Sequence, residues 1–491
     1  MQFEGGRPGC DKMTGLDDIL KLDAVGQADL IRQNEVTPRE LVTAAIQRIE
    51  QFNGKINAVV SKRYEGALRD AEGPAPEQLK DSPLWGVPYL YKDLGPSCAG
   101  LPTTVGSAFL DGFVSGHDSE LVLRFKRAGL LLLGKSNTAE FGVLPTTEPA
   151  FTGVTRNPWN LQLSVGGSSG GAAAAVAAGL VPVAHANDAG GSIRIPASCC
   201  GVFGLKPTRA RVPMGPDVGD LMNGLASEFV VSRSVRDSAA LLDAVAGPSL
   251  GDPYFAPPVA GRFLDAVGSG PTRPLRIAVT LDDQLHPECV RAIKEAAGLC
   301  ADLGHEVVSD VPPVRFSELH ELFLVVWAAG VSSAISSYAA LSGREPKPEL
   351  FEETTWWLYE EGRRISAARY LQTITRLQQV SRRLASFYAR YDVHLSTVTS
   401  EPAPKLGVLN SGAPRVQLDR ALKFVADTSL ANLTGQPAMS VPLCIAADGT
   451  PVGVHFSGRI GDEACLLSLA GQLETARPWA NRLPSLSAHT H

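Results

Sequence analysis

Two serines that lie beside glycines are the residues of this chain best suited to covalent chemistry. Ser168 lies in Gly-Gly-Ser-Ser-Gly-Gly at 166–171, and Ser192 lies in Gly-Gly-Ser-Ile-Arg at 190–194. Glycines let backbone N–H groups approach a ligand closely, and a serine hydroxyl becomes a nucleophile when a base lies next to it. One Gly/Ser cluster is typical of a turn or a linker, but two clusters that flank an alanine-rich segment are not explained as linkers.

Lys92 is a candidate for that base. It follows Gly-Val-Pro-Tyr-Leu-Tyr at 86–91, which predicts a short apolar strand. A lysine at a strand end is usually a surface residue. Burial among Val87, Tyr89 and Leu90 would instead disfavour the ammonium and lower the lysine pKa, and a neutral lysine is a base.

A histidine mechanism is the alternative at the first serine. Residues 166–170 also match G-x-S-x-G, the nucleophile elbow of α/β-hydrolases. That mechanism needs a downstream histidine; His394 and His455 are available, although nothing around either of them marks a catalytic role. No Gly-Lys-Ser/Thr follows Gly171, so the cluster is not a phosphate-binding loop, and no His/Cys pattern predicts a metal. We therefore expect neither a metal nor a cofactor.

The elements that must position these residues alternate between strands and helices, which indicates an α/β fold with a parallel or mixed sheet. An alanine-rich stretch predicts a helix at 171–179 between the two serines, followed by a buried strand at 180–185. Thr37-Pro38-Arg39-Glu40 is a capping box that starts another helix. Further predicted helices are 14–35, 119–128, 287–303 and 463–473, and further predicted strands are 130–135, 275–279, 305–308, 394–397 and 440–445.

Charge, cysteine usage and hydropathy exclude several classes of protein. The 491 residues carry a net charge of −6, whereas nucleic-acid-binding domains are usually basic. The eight cysteines are scattered, which is typical of reduced thiols rather than of a disulfide framework. We find neither a signal peptide nor an apolar run of the ~18 residues that a membrane span needs. We expect a cytoplasmic protein that binds no nucleic acid and does not span a membrane.

Three motifs taken together resemble the amidase signature family. They are Lys92 after Gly-Val-Pro, the cluster at 166–171, and Asp-x-Gly-Gly-Ser-Ile-Arg at 188–194. The resemblance implies the family's α/β fold, with a large mixed β-sheet core flanked by helices on both faces. It also implies an amidase that cleaves the C–N bond of a small-molecule amide through an acyl-enzyme, and a possible homodimer.

The resemblance assigns a role to each motif residue. Ser192 corresponds to the nucleophile and Lys92 to the base, while Ser168, on a cis peptide bond, corresponds to the proton relay between them. Asp188 and Arg194 are expected to brace the second cluster rather than to take part in the chemistry. The backbone amides implied for the oxyanion hole are those of Ala189, Gly190, Gly191 and Ser192.

Two further segments resemble the branch of the family that includes cyclic nylon-oligomer hydrolases. These are Asn-Pro-Trp-Asn at 157–160 and Pro-Val-Ala-His-Ala-Asn-Asp at 182–188. Many family members have Gly-Ser-Asp or Gly-Thr-Asp where this chain has Ala-Asn-Asp at 186–188. Two other functions remain open: the glutaminase subunit of a tRNA-dependent amidotransferase, which needs partner subunits, and a binding protein without activity.

We expect a single amidase domain at 1–485. Its predicted parts are N-terminal helices at about 14–55, a signature core at about 80–246, a mostly helical middle region at about 317–390, a C-terminal return to the core at about 391–480, and a loose tail at 486–491. The aromatic residues of the middle region either belong to the core or shape the substrate pocket. Trp327 is the candidate substrate-binding residue among them.

Overall fold

The computed structural model describes residues 19–79, 82–282 and 284–489. The strands are β1 Val59–Lys62, β2 Pro88–Lys92, β3 Leu131–Ser136, β4 Arg156–Asn157, β5 Asn160–Ser164, β6 Val183–Asp188, β7 Phe203–Lys206, β8 Ser227–Ser232, β9 Arg276–Val279, β10 Glu306–Ser309, β11 Val393–Thr397, β12 Ala438–Ile445 and β13 Pro451–Gly458. All but β4 and β5 form one mixed 11-stranded sheet in the order β1-β3-β2-β6-β8-β7-β12-β13-β11-β9-β10.

Helices cover this sheet on both faces, which confirms the predicted fold class. Every residue of β2, β3, β8, β11 and β13 is buried, and successive side chains of a strand point to opposite faces. The α-helices are Ala24–Arg32, Pro38–Ile56, Tyr64–Asp70, Glu120–Arg127, Gly170–Ala177, Arg194–Cys200, Val235–Val245, Phe263–Ser269, Pro287–Asp302, His320–Ser342, Glu353–Arg363, Ala367–Arg390, Pro414–Phe424, Leu430–Thr434 and Glu463–Ala476.

The order of the central strands brings the candidate residues to one edge of the sheet. β2 and β6 are parallel neighbours, so Lys92 and Asp188 end their strands at the same edge. β8 runs antiparallel to β6 and begins at this edge, with Asn187 opposite Glu228 and Asp188 opposite Ser227. Polar side chains from three neighbouring strands therefore meet here.

A helix begins at the end of each glycine cluster. Gly170–Ala177 starts with the last two glycines of the first cluster, and Arg194–Cys200 starts with the arginine that ends the second. All residues of the helix Gly170–Ala177 are buried, and their small side chains allow close packing. A Cβ atom at Gly171 would lie 2.3 Å from the backbone nitrogen of Asn137, so this position accepts no side chain.

The middle region consists of three helices, His320–Ser342, Glu353–Arg363 and Ala367–Arg390. Their apolar side chains build a second hydrophobic cluster beside the core of the sheet. Contrary to the expectation from the sequence, the segment Phe316–Ser342 is long and apolar enough to cross a membrane, because it contains an 18-residue stretch with a mean hydropathy of 1.6. Half of this stretch is buried inside the protein. The helix His320–Ser342 also packs on the other two helices, as the core helix of a globular protein does.

Two of the predicted boundaries that differ from the structure have a local cause or lie partly outside the described residues. The strand expected at 180–185 is β6, Val183–Asp188, because Pro182 cannot donate a hydrogen bond to a neighbouring strand and pairing starts after it. The helix expected at 14–35 is described as Ala24–Arg32, and Asp23 starts it by accepting a hydrogen bond from the backbone N–H of Gly26. The predicted part at 14–18 lies outside the described residues.

The sequence analysis predicts a loose tail at 486–491, but residues 486–489 pack on the rest of the protein. Leu486 and Ala488 are buried. Their backbone N–H groups donate to the carbonyl oxygens of Pro158 and Ala178 at 3.2 and 2.9 Å. Two apolar side chains and two backbone hydrogen bonds thus attach residues 486–489 to the core, whereas 490 and 491 lie outside the described residues.

Candidate active site

Lys92 is fully buried at the end of β2, as the apolar residues before it predict. Its Nζ lies 2.7 Å from Oγ of Ser168 and 2.6 Å from Oδ1 of Asn187. Burial lowers the pKa of Lys92 to about 7, although the carboxylates of Glu228 and Asp188 oppose this shift. A large fraction of this lysine is therefore neutral near pH 7, and a neutral amine accepts protons.

Ser168 lies in the turn between β5 and the helix Gly170–Ala177. The peptide bond between Gly167 and Ser168 is cis, which confirms the expectation from the family resemblance. The carbonyl oxygen of Ser168 accepts hydrogen bonds from the N–H of Ala139 and the hydroxyl of Thr147, each at 3.3 Å. These bonds hold the residue so that its hydroxyl faces the lysine.

Ser192 lies on the loop between β6 and the helix Arg194–Cys200. The backbone N–H of Ser169 donates to the carbonyl oxygen of Ser192 at 3.3 Å. This bond joins the second glycine cluster to the first. The structure therefore brings the two serine loops together, as their pattern in the sequence predicts.

The loop that carries Ser192 folds around the carboxylate of Asp188. That carboxylate accepts hydrogen bonds from the N–H of Gly191 at 2.7 Å and of Ile193 at 3.1 Å. Gly191 has a φ of +131°, which favours glycine because it has no Cβ. The N–H of Gly191 was predicted to donate to the oxyanion of the substrate. Because it already donates to Asp188, the structure argues against that role for Gly191.

Arg194 fixes the same carboxylate from the other side. Its Nε and Nη2 each donate to one oxygen of Asp188 at 2.9 Å. Nη1 also donates to the carbonyl oxygen of Thr428, and Nη2 to Oδ1 of Asn432, both at 2.7 Å. Burial alone would raise the pKa of Asp188, but Arg194 reverses this and holds it below its usual range. The pair braces the loop of Ser192, in agreement with the sequence analysis.

The segment Asn-Pro-Trp-Asn at 157–160 supports the helix Arg194–Cys200. The side-chain amide of Asn157 donates to the carbonyl oxygen of Cys199 at 2.9 Å. The indole N–H of Trp159 donates to the carbonyl oxygen of Cys200 at 2.8 Å. This branch motif therefore supports the site through side-chain hydrogen bonds to the backbone of that helix.

The two histidines of the alternative mechanism have structural partners instead. Nε2 of His394 lies 2.8 Å from the hydroxyl of Thr280, and burial lowers the pKa of His394 to about 3. Nε2 of His455 accepts a hydrogen bond from Arg194 at 2.9 Å, and burial holds its pKa well below the usual value. Among the hydrogen bonds of the described residues, neither histidine reaches a candidate serine. Residues 19–79, 82–282 and 284–489 also contain no group of three His, Cys, Asp or Glu side chains that would hold a metal ion.

Three polar residues around Lys92 were not predicted as part of the site: His185, Asn187 and Glu228. His185 and Asn187 are two positions apart in β6, so their side chains share one face of the sheet. Nε2 of His185 lies 2.9 Å from Oε2 of Glu228, and Nδ2 of Asn187 donates to Oε1 at 3.3 Å. The signal in the sequence was the presence of polar residues in an otherwise apolar strand, because a buried polar side chain requires a partner.

An open cavity borders Ser192. Trp327, the candidate substrate-binding residue, lines it and stacks on Phe323, with ring centroids 5.0 Å apart. Apart from Ser192 and Ser429, the side chains around the cavity are apolar; they include Val143, Leu144, Ile195, Leu418, Leu422 and Val425. The middle region therefore contributes to the same cavity as the second serine.

Comparisons with known proteins point to the same family as the three motifs. The model of the Amidase family matches residues 40–467. A 6-aminohexanoate-cyclic-dimer hydrolase of Pseudomonas sp. (strain NK87) is 38% identical over 483 residues, covering 94% of this chain and 96% of that protein. A solved structure of a 6-aminohexanoate cyclic dimer hydrolase matches with a TM-score of 0.90 and 37% identity, covering 95% of this chain and 99% of that one.

The amidotransferase alternative is a more distant likeness. A solved glutamyl-tRNA(Gln) amidotransferase subunit from Thermotoga maritima matches with a TM-score of 0.77 and 27% identity, covering 97% of this chain and 99% of that one. The family model extends over the part of the sequence that holds all three motifs, and the Pseudomonas hydrolase covers 94% of the chain. The chain therefore belongs to the amidase signature family and is a hydrolase of amide bonds.

Proposed function

We propose that this amidase hydrolyses an uncharged amide through an acyl-enzyme on Ser192, with Ser168 as the proton relay and Lys92 as the base. One observation carries the proposal: the buried contact of 2.7 Å between Nζ of Lys92 and Oγ of Ser168. A base within hydrogen-bond reach of a hydroxyl is the arrangement that activates a serine.

In the first half-reaction, Lys92 accepts the proton of Ser168 while Ser168 accepts the proton of Ser192. Oγ of Ser192 bonds to the carbonyl carbon of the amide, and the carbonyl oxygen becomes negative. The backbone N–H groups of Ala189, Gly190 and Ser192 stabilise that oxygen, because donors already held in place need no reorganisation. The N–H of Gly191 remains with Asp188 in this account.

The C–N bond breaks when the leaving nitrogen receives a proton from Ser168, which recovers one from Lys92. An ester between the acyl group and Ser192 remains. Water then enters by the same relay: it gives a proton to Ser168, attacks the ester carbon and releases the carboxylic acid. Ser192 regains its proton in this step, so one water is consumed and no group on the enzyme is changed.

We further infer that the acyl part of the substrate is apolar and uncharged. Within the described residues, the cavity beside Ser192 is lined by no charged side chain. A charged group that enters such a cavity without a partner loses its hydration at a large cost in free energy. A cyclic oligoamide has neither a free carboxylate nor a free ammonium. The similarity to hydrolases named for the 6-aminohexanoate cyclic dimer supports this choice.

Rates of the purified protein on four amides test the substrate class. We expect kcat/KM for the 6-aminohexanoate cyclic dimer and for a neutral anilide to exceed that for the linear dimer and for glutamine by at least about 10-fold. Burying an unpaired polar group costs about 1–3 kcal/mol, and a 10-fold ratio corresponds to about 1.4 kcal/mol. A preference for glutamine would favour the amidotransferase role, and a preference for the linear dimer would contradict the apolar-cavity argument.

Replacement of Trp327 tests the part of the middle region in substrate choice. We expect Trp327→Ala to change the ratio of rates between a bulky anilide and a small aliphatic amide by about 10-fold or more, the usual effect of altering an apolar pocket. Trp357→Ala is the matched control, because Trp357 lies in the same region but not among the residues that line the cavity. If the substrate ratios of both variants equal those of the wild type, Trp327 is a core residue only.

Two expectations remain predictions. One is a cytoplasmic location; the cysteines that the structure describes are free thiols, which fits a reducing compartment. The other is a homodimer, which sedimentation of the purified protein would test.

A further inference from the structure

A buried group of three side chains lies behind Lys92 and takes no part in the steps above. Glu228 is 1% exposed. Its Oε2 accepts a hydrogen bond from Nε2 of His185 at 2.9 Å, and its Oε1 accepts one from Nδ2 of Asn187 at 3.3 Å. Both partners are also hydrogen bonded to Lys92. The backbone N–H of Lys92 donates to Nδ1 of His185 at 3.3 Å, and Nζ of Lys92 donates to Oδ1 of Asn187 at 2.6 Å.

The hydrogen bonds of Asn187 fix the direction of its amide. Nδ2 donates to the carbonyl oxygen of Leu94 at 2.9 Å as well as to Glu228. Oδ1 must then face Lys92, and it takes one N–H of the amine. A neutral amine has one lone pair, and with Asn187 on one side this lone pair is left for the hydroxyl of Ser168.

The hydrogen bonds of His185 fix its tautomer. Nδ1 accepts the backbone N–H of Lys92, so the proton of the neutral ring is on Nε2 and is donated to Glu228. The ring also stacks on Tyr91, with centroids 4.0 Å apart and an interplanar angle of 5°. His185 therefore connects the carboxylate to the backbone at the end of β2.

The charges around Lys92 are not equivalent. The charged and titratable groups that face this region from the neighbouring strands are Glu228, Asp188, His185, Lys135 and Tyr91. Asp188 is paired with Arg194, and Lys135 lies 3.5 Å from Asp93. Burial lowers the pKa of His185 and raises that of Tyr91, so both are neutral near pH 7. Among the described residues, Glu228 is thus the carboxylate here whose hydrogen-bond partners carry no charge.

We propose that Glu228 is a positioning residue for the amidase reaction. Through Asn187 it holds Nζ of Lys92, and through His185 it holds the backbone of the same lysine. Its negative charge also raises the pH at which Lys92 becomes a base. This inference rests on the proposed role of Lys92.

The pH profile of Glu228→Gln tests the proposal. A negative charge favours the ammonium, so its removal lowers the pKa of Lys92 further. We expect the acid limb of kcat/KM to move to lower pH by about one unit, the usual effect of one nearby charge. Gln has one acceptor oxygen, whereas His185 and Asn187 donate to two oxygens of Glu228. We therefore also expect Nζ of Lys92 to be misplaced and kcat at the plateau of the pH profile to fall about 10- to 100-fold.

A second variant, Asn187→Ala, separates position from charge. It removes the acceptor for Nζ of Lys92 but leaves the charge of Glu228, so we expect kcat to fall about 10-fold with KM within about twofold. Glu463→Gln is the control, because Glu463 is an equally buried carboxylate that pairs with Arg211 instead. We expect its acid limb to match the wild type.

The outcomes separate this inference from the proposed mechanism. Suppose that Glu228→Gln and Asn187→Ala both fold and keep the acid limb and kcat of the wild type, while Lys92→Ala is inactive. This result would overturn the role of Glu228 and leave the mechanism intact. An active Lys92→Ala would overturn the mechanism itself. Should Glu228→Gln fail to fold, kcat and KM of Asn187→Ala decide the positioning role, and an unchanged kcat there contradicts it.

Discussion

Ser192→Ala is expected to lose at least about 10⁴-fold in kcat, as serine hydrolases do when their nucleophile is removed. Without Oγ no ester to the acyl group can form. The methyl group of alanine is smaller than the side chain it replaces, so the loop around Asp188 is expected to keep its hydrogen bonds. The rate on a neutral amide, with circular dichroism as the check on folding, measures this effect.

A buried serine outside the cavity provides the control for Ser192→Ala. Ser238 lies in the helix Val235–Val245 and is hydrogen bonded to Ser232. We expect Ser238→Ala to keep most of the activity. A folded Ser192→Ala with near-wild-type rates would remove Ser192 from the mechanism.

Lys92→Ala is expected to lose about 10²–10⁴-fold in rate, the usual contribution of a positioned proton-transfer group. Burial places the pKa of Lys92 at about 7. The base is the neutral form, so wild-type activity should rise as the pH increases through about 7 and persist into mildly alkaline conditions. The alanine variant should lose this acid limb, because its residual rate no longer depends on the lysine.

Histidine variants distinguish the lysine mechanism from the histidine alternative. We expect His394→Ala and His455→Ala to keep most of the activity, since both rings are hydrogen bonded to structural partners. The histidine mechanism requires one of them to be indispensable and Lys92 to be replaceable. A dead histidine variant beside an active Lys92→Ala would therefore reverse the assignment.

Local sequence was sufficient for the parts of the site that depend on local patterns. The apolar residues before Lys92 predicted its burial, and the two glycine clusters predicted a pair of serine loops around a packed helix. The alternation of strands and helices predicted the α/β class. Each strand, helix and turn in these features depends on neighbours within about ten residues, which is the range that periodicity and turn patterns describe.

The rest of the site depends on contacts between distant segments. Glu228 is opposite Asn187 because β8 pairs antiparallel with β6, and no pattern in either strand specifies that partner. The cavity combines Phe323 and Trp327 with Leu418 and Leu422 from a separate helix. Its apolar character was therefore not visible from the aromatic residues of the middle region alone.

The bond between Gly191 and Asp188 shows a second limit of motif reasoning. The family resemblance assigned four consecutive backbone amides, at 189–192, to the oxyanion hole. In the structure, the carboxylate of Asp188 accepts a hydrogen bond from the third of these amides, that of Gly191, at 2.7 Å. A motif identifies which residues are near the chemistry, whereas the fold decides which of their hydrogen-bond donors remain available.

Labelling with a fluorophosphonate tests the central claim most directly, because the reagent bonds to a serine activated as a nucleophile and needs no knowledge of the substrate. The protein is treated with the reagent near pH 8, digested and analysed by mass spectrometry. The account predicts one phosphonyl group on the peptide that contains Ser192, formed about 10²–10⁴-fold more slowly in Lys92→Ala. An adduct on Ser168 instead, or labelling of Ser192 at the same rate in both proteins, would contradict it.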